Sequence, residues 1–509
     1  MPVEDPRLEV VPRRQRPFEE LLHQNAQVGE ARRVEARRHE AQRGHRDIRC
    51  LGDHHDFPSP FSAPSYHAAR ISPEGIPFRA MRLVASLLLF AALAAAQEEE
   101  IARLKSQHAG ERRQAALALA RMGPEAVAAV PALLARLDDS NVMVRHAAML
   151  ALGGIRDPRG VPPLARLLAS PDERTRRIAS VSLAEIGAPA VPALRNVLRK
   201  SGRHTARLAA AHALAALGEN AVSAVPDLEA ALEDDAAAVR VGAARGLLAV
   251  MGPHTRALAV VYAALEDPDA AIVGLAITTL GDHGPRDPAT ANRLAAALPS
   301  GQRDLQWLAC RALGKLGPAA VPAIPALIDL LKTAPASVRT GASGALGRIG
   351  EPALPPLVAL LALEEPDLSL NVTHACKSMA AAAQAVLAKH LASENTLVAA
   401  RAVRVLGDLG KDAKPALPAL KRALKHADLR VRGEAARSVW LLEGDAQAVL
   451  ATLIEVLEEA DPKTRREAAL TLAGLGREAL NAVAALEKAA KDADPAVANA
   501  ARKALKQIN

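Results

Sequence analysis

Aromatic side chains are nearly missing from this chain, at 2% of 509 residues. Beyond residue 96 they reduce to Tyr262, Trp307 and Trp440. An ordinary globular core takes its bulk from Phe and Tyr, so this one is filled otherwise. Ala and Leu dominate the apolar half of the composition, and stacked helices can pack on those two alone. Cysteine is scarce as well. The three present show no C-x-x-C or C-x-x-C-H spacing, which leaves no zinc framework and no covalent haem site. Neither a phosphate loop nor a G-x-S-x-G turn occurs. Glycine is low and proline scattered, against a background too apolar for a disordered chain. Charge of one sign is also lacking. The formal net charge is +8 and the pI near 9.6, but Lys and Arg alternate with Asp and Glu along the chain. Such a surface is mixed and solvated, and nucleic acid is not an expected partner.

What is present falls into three parts. Residues 1–80 contain thirteen Arg, no Lys, six His and four of the five Phe, with no sustained helical period. Twelve acids nearly cancel the arginines, so the segment is read as a disordered or non-native upstream extension and not as a basic arm. Next comes "MRLVASLLLFAALAAAQEEE" from Met81. Arg82 supplies a short positive region, Leu83 to Leu93 an 11-residue apolar stretch, and Ala94 and Ala96 an A-x-A site before Gln97. That arrangement predicts a signal peptide over 81–96, too short to span a bilayer. It places the true start at Met81, and the mature chain outside the cytoplasm, periplasmic or secreted, without a membrane span.

Residues 97–509 are dominated by one internal repeat. "VRHAAMLALGGI" from Val144 returns as "VRVGAARGLLAVMG", "VRTGASGALGRIG" and "VRGEAARSVWLLEG". Arg145, Arg176, Arg207 and Arg240 head successive copies at spacings of 31, 31 and 33. The register continues through Val273 and Gln306 to Arg339, then reaches Arg432, Arg465 and Ala498, so that about twelve copies fit. Each copy holds two helical phrases. The first is like "AVPALLARLDD", with Pro131, Pro162, Pro192, Pro226, Pro322 and Pro418 early in it, where proline starts or kinks a helix. The second is VR-x-x-AA-x-AL-G, whose glycine suits a helix C-cap. Neither helix buries its apolar face alone, so the copies must stack. The expected fold is all-α, an α-solenoid of about twelve helix pairs.

These phrases resemble the HEAT-repeat family, specifically the short HEAT-like repeats of the bilin-lyase type. The resemblance implies a right-handed superhelix, a binding scaffold with no cofactor, and an Asp/Arg ladder between repeats. Asp139, Arg145, Arg176, Arg207, Asp234, Arg240, Arg339, Arg432 and Arg465 are the candidates for that ladder. An acid stands six residues before the heading Arg at Asp139, Asp234 and Glu459, and four before it at Asp172, Asp428 and Asp461.

Counting the heading Arg as zero at 100° per residue, Val at −1, Ala at +3 and +4, and Leu at +7 share one arc. Position +5 lies opposite, with +1 and +9 beside it. Those columns hold Arg177, His212, Arg245, Trp307, Arg311, Lys315, Arg348, Arg404, Arg437 and Arg466, a discontinuous basic strip. In a HEAT fold the second helix lines the concave face, so these ten are the candidate partner-binding residues, and the expected partner is an acidic protein. Trp440 falls near the core column and is read as packing. Cys310 and Cys376 lie two copies apart, too far for a disulfide. The pattern decays over 364–396, where Asn371–Thr373 makes an N-x-T sequon, a hinge or a partner site being the functional alternatives. HEAT-like hydroxylases carry iron on His-Glu pairs; the only such pair here is His39–Glu40, outside the repeats. No catalytic or metal residue is therefore assigned. An enzyme of the hydroxylase or bilin-lyase type, and polyanion binding, remain the alternatives to a monomeric exported scaffold.

Overall fold

The computed structural model describes residues 94–508, apart from 364, 459 and 460. Residues 1–93, and with them the proposed extension, His39–Glu40, Cys50 and most of the signal peptide, lie outside the described residues, as does Glu459. A helix occupies 94–103, running through the expected processing site after Ala96.

Beyond it, long helices alternate with short ones and every described regular element is helical. The long ones are α1 (Ala109–Met122), α2 (Val142–Ile155), α3 (Glu173–Ile186), α4 (His204–Leu217), α5 (Ala237–Met251), α6 (Ala270–His283) and α7 (Arg303–Leu316). The series continues with α8 (Ala336–Ile349), α9 (Pro366–Lys377), α10 (Thr396–Asp408), α11 (Leu429–Glu443), α12 (Pro462–Leu475) and α13 (Pro495–Ile508). Each packs on the next, and a short helix from each interval covers the layer on one side. The fold is an α-solenoid.

The sequence dictates where each helix begins. Asp172 accepts from the Thr175 amide at 2.8 Å, Asp428 from Arg430 at 2.8 Å and Asp461 from Lys463 at 3.1 Å. These acids, four before the heading position, are N-caps of their own helices. Pro131, Pro162, Pro192, Pro226 and Pro418 occupy the first turn of short helices, while Pro322 sits within a 3₁₀ turn.

The motif glycine is not the cap. Gly153 lies inside α2, where a Cβ would come within 2.8 Å of the Ser182 Cα in α3. Gly347 in α8 meets the Ala375 carbonyl of α9 in the same way. Missing side chains at this position let consecutive backbones touch. The helix is closed three residues later, by glycines such as Gly317 (φ 61°) and Gly350 (φ 97°). In α2 that place falls to Arg156, the one non-glycine with positive φ among the described residues (φ 62°). In α11 Trp440 stands where the motif glycine should be, and its ring lies over Gly474 of α12.

Three helical runs, Ala109–Asp138, His204–Glu233 and Arg303–Thr333, are long and apolar enough to cross a membrane by length and composition. Each is broken at a positive-φ glycine, Gly123, Gly218 or Gly317, into a long helix, a 3₁₀ turn and a short helix.

The irregular stretch still folds as a repeat. Helix α9 is followed after two residues by Ala380–Lys389, so the glycine, 3₁₀ turn and proline of other copies are gone. The sequon is part of α9 and not a surface loop. Thr373 is buried and donates to the Ser369 carbonyl, and Asn371 faces Ser343 of α8.

Candidate interaction surface

The heading arginines come first, because they set the helices that carry the surface. Arg145, Arg176, Arg207, Arg240 and Arg432 donate Nη1 to the carbonyl six residues back, in the turn before their own helix, and Arg145, Arg176 and Arg240 also to the one five back. Arg145 reaches Asp139 O at 2.8 Å, Arg176 reaches Ser170 O at 2.9 Å, and Arg240 reaches Asp234 O at 2.9 Å. Arg432 makes the same contact to His426 O at 3.3 Å and also meets Glu455. Arg339 is half-buried at the same register in α8. At two junctions the guanidinium also crosses to an aspartate six before the next heading position, whereas Arg240 does not bond Asp267, six before Val273. Arg207 grips both oxygens of Asp234 at 2.7 and 2.8 Å, and Arg465 both of Asp492 at 2.7 Å. Asp139 is taken by Arg112, in the copy before the first one counted from sequence, and not by Arg145. The acid therefore serves the preceding repeat. In α9 the heading Arg is lost to Val372, and Arg401 of α10 turns back to the Leu361 carbonyl at 3.0 Å and to Leu363. That substitution has no signal in the repeat register.

The accessible stripe on the long helices is narrower than one helix considered alone suggests. Each has a neighbour on either side and the short-helix layer beneath, so only one or two positions per turn reach solvent. Arg177, Arg311, Arg348 and Arg466 are exposed there. Trp307 keeps 42% of its surface. His212, Arg245, Lys315, Arg404 and Arg437, from the same columns, are half-buried. His146, from the same columns, is 3% exposed and bonded to Thr175 of α3 at 3.0 Å.

The strip is not uniformly basic either. Arg245 (α5) and Lys315 (α7) both pair with Asp282 of α6, Arg245 at 3.1 Å. Arg437 (α11) pairs with Asp408 of α10 at 2.7 Å. Arg404 donates Nε to Glu434 of α11 at 2.9 Å and lies 4.0 Å from Glu467 of α12. Burial pushes the Glu434 carboxyl up, and its bond to Arg404 pulls it back. At the other end burial, reinforced by Arg245, pushes His212 down to about 4. His283 is lowered by burial first and then by Arg245. Between these neutralised ends stand α7, α8 and α9. There Arg311, Arg348, His374 and Lys377 are exposed, with no ion pair among the described residues. The Arg311 guanidinium lies 5.7 Å from the Trp307 ring centroid.

Among the described residues, no group of three or more His, Cys, Asp or Glu is placed to hold a metal ion. Cys310 and Cys376 are free and buried, and burial pushes both thiols up to about 12.

With this arrangement in view, comparison with known proteins decides the family. The model of HEAT repeats matches residues 99–184, 161–249, 291–375 and 450–509, more than half of the chain. The chain belongs to the HEAT-repeat family. A comparison with curated proteins gives no match. Among solved structures, this HEAT-repeat chain is similar to the karyopherin Kap121p bound to RanGTP, at 14% identity and TM-score 0.44, over 82% of this chain and 53% of that one. Kap121p bound to Nup53p matches at 14% identity and TM-score 0.42 over the same shares. The chain thus spans about half the length of the karyopherin it matches. The complex of CpcE and CpcF of phycocyanin lyase from Nostoc sp. matches at 24% identity and TM-score 0.33, over 54% of this chain and all of that one.

Proposed function

We propose that this HEAT-repeat chain is an exported scaffold that binds another protein through the solvent-facing stripe of its long helices. The observation that carries the reading is periodic. Exposed long side chains recur on the same side of successive long helices, Arg177, Trp307, Arg311, Arg348 and Arg466 at positions +1, +5 and +9, so the stripe offers an extended run of contacts, as repeat proteins present to their ligands. Export rests on Arg82, the apolar run to Leu93 and the A-x-A site ending at Ala96. The helix over 94–103 belongs to the unprocessed chain; cleavage after Ala96 would remove its first turn.

Crosslinking with mass spectrometry in the native cell envelope tests both parts. Crosslinks from the long-helix stripe to one protein, on a chain beginning at Gln97, are the expected result. A cytoplasmic chain retaining residues 1–96 would sink the export reading, and crosslinks confined to the short-helix side would sink the binding face.

A further inference from the structure

The stripe is neutralised at both ends and not in the middle, and that asymmetry has a chemical meaning. Asp282 of α6 answers Arg245 of α5 and, on α7, Lys315, and Asp408, Glu434 and Glu467 answer the cations of α10 and α11. On α7 and α8 the sole acid is Asp304, in the first turn of α7, while Arg311 and Arg348 stand further along the same helices. Each guanidinium group has a place on α7: Arg311 beside Trp307 and Arg348 beside Gly314. Gly314 leaves room on α7 for Arg348, whose Nη1 lies 3.1 Å from where a Cβ would be. Gly341 opens the flank of Trp307, whose Cδ1 would lie 3.4 Å from a Cβ there. His374 borders Gly344 in the same manner at 3.8 Å. The result is a cationic floor with an exposed indole, whose Arg311 and Arg348 have no carboxylate partner among the described residues.

Beside this floor an open cavity of about 570 Å³ lies between α6 and α7, lined by Gly274, Leu275, Thr278, Leu305 and Leu308, with Asp304 on its rim. That volume is of the size that takes a small ligand or a side chain. Gly274 keeps it open, since a Cβ there would meet Leu308 Cδ1 at 3.3 Å and Leu305 Cδ2 at 3.5 Å. Leu308 follows Trp307 directly and precedes Arg311 by three residues, one helical turn. Apolar hollow and cationic floor are therefore contiguous on α7.

We propose that this place docks an acidic peptide segment carrying an aliphatic side chain, its carboxylates on Arg311 and Arg348 and its aliphatic group in the cavity between α6 and α7. The proposal rests on the scaffold reading and names the chemistry of its partner. A peptide fits better than a uniform polyanion. A nucleic acid or sulfated polysaccharide long enough to follow the stripe would run onto Asp282 on one side and Asp408 and Glu434 on the other. It would also leave the cavity unfilled.

The test is a fluorescence-anisotropy titration of the full chain with a labelled synthetic peptide of Glu residues flanking one Leu. Saturable binding that weakens as salt is added is expected. The double variant Arg311→Glu/Arg348→Glu should lower affinity by about tenfold or more. Arg422→Glu, which alters an exposed arginine on the short helix between α10 and α11, away from the stripe, should leave binding unchanged. Replacing the peptide's Leu by Gly should weaken binding by roughly tenfold, the worth of one buried aliphatic side chain. Circular-dichroism melts of the variants establish that they remain folded. Equal binding by the double variant, or capture of heparin fragments in preference to the peptide, overturns the proposal. So does indifference to the Leu. If the peptide fails while crosslinks from the stripe map to α2–α5 or α10–α12, the docking site is wrong and the scaffold reading stands.

Discussion

Arg207 lays Nε and Nη2 across both carboxylate oxygens of Asp234, 27 residues further on, while its Nη1 holds the Ser201 carbonyl of its own turn. One guanidinium thus ties a turn to its own helix and one repeat to the next. Charge-assisted bidentate pairs are about twice as strong as neutral hydrogen bonds. This pair is sheltered, with 12% and 11% of the two side chains exposed. Arg207→Ala should lower stability by about 2 kcal/mol. Arg145→Ala removes carbonyl contacts only and should cost about 1 kcal/mol. Urea unfolding of the two variants measures the order, and equal costs would show that the inter-repeat bond adds nothing.

Arg404 and Arg311 occupy the same register on α10 and α7, and should behave differently. Arg404→Met strands the Glu434 carboxylate and should cost about 2 kcal/mol, less than a fully buried pair because Arg404 keeps 32% of its side chain exposed. Arg311→Glu removes no packing and should change stability by within about 0.5 kcal/mol. Thermal melts of the two variants provide the comparison.

Acid should weaken the fold in two windows. His212 is held at about 4 against an ordinary 6.5, by burial and then by Arg245. The unfolded chain therefore takes up this proton first. The stability that the neutral ring contributes is complete above pH 6.5 and is lost as pH falls towards 4. His146 and His283 are shifted in the same direction, chiefly by burial. Asp428, held at about 2 by Arg430, acts lower, its contribution fading from the ordinary 3.8 down to 2. Melting temperature measured against pH should fall below 6.5, and His212→Asn should flatten the upper window. An unchanged slope in that variant would remove His212 from the account.

Two positions at the C-terminal end of α2, Gly153 and Arg156, predict opposite signs. Ala in place of Gly usually stabilises a helix interior by about 1 kcal/mol. Gly153→Ala should instead cost about 1–3 kcal/mol, because its Cβ meets the Ser182 backbone. Arg156→Gly relieves a left-handed residue at the cap and should gain about 1 kcal/mol. Denaturant midpoints decide both, and a stabilising Gly153→Ala would mean that α2 and α3 stand further apart.

The helices, their order and their stacking were legible in the sequence because apolar spacing, caps and breaks are local properties of the chain. The interaction surface was legible only in part. A column counted along one helix identifies which positions turn away from the short-helix layer, and Arg311 and Arg348 do so. It cannot register that Asp282, Asp408 and Glu434, on adjacent helices, stand within reach of Arg245, Arg437 and Arg404. The motif glycine was misread for a related reason. A terminal cap and a close crossing both call for glycine, and only the neighbouring backbone separates Gly153 from Gly187, which has φ 92°. Arg401 was invisible because it serves a turn 40 residues back, outside its own repeat.

The bond between Arg207 and Asp234 has counterparts at Arg112–Asp139 and Arg465–Asp492, but Arg145, Arg176 and Arg240 donate to carbonyls of their own turns. A stacked array behaves as springs in series, and under tension such a series lengthens at its most compliant members. Junctions riveted by a bidentate pair, α1 to α2, α4 to α5 and α12 to α13, are the stiff members. Those from α2 to α4 and from α5 to α6 lack the rivet. A ligand seated along the stripe would thus bend this solenoid at the junctions without a bidentate pair, flexing between blocks that themselves hold their form.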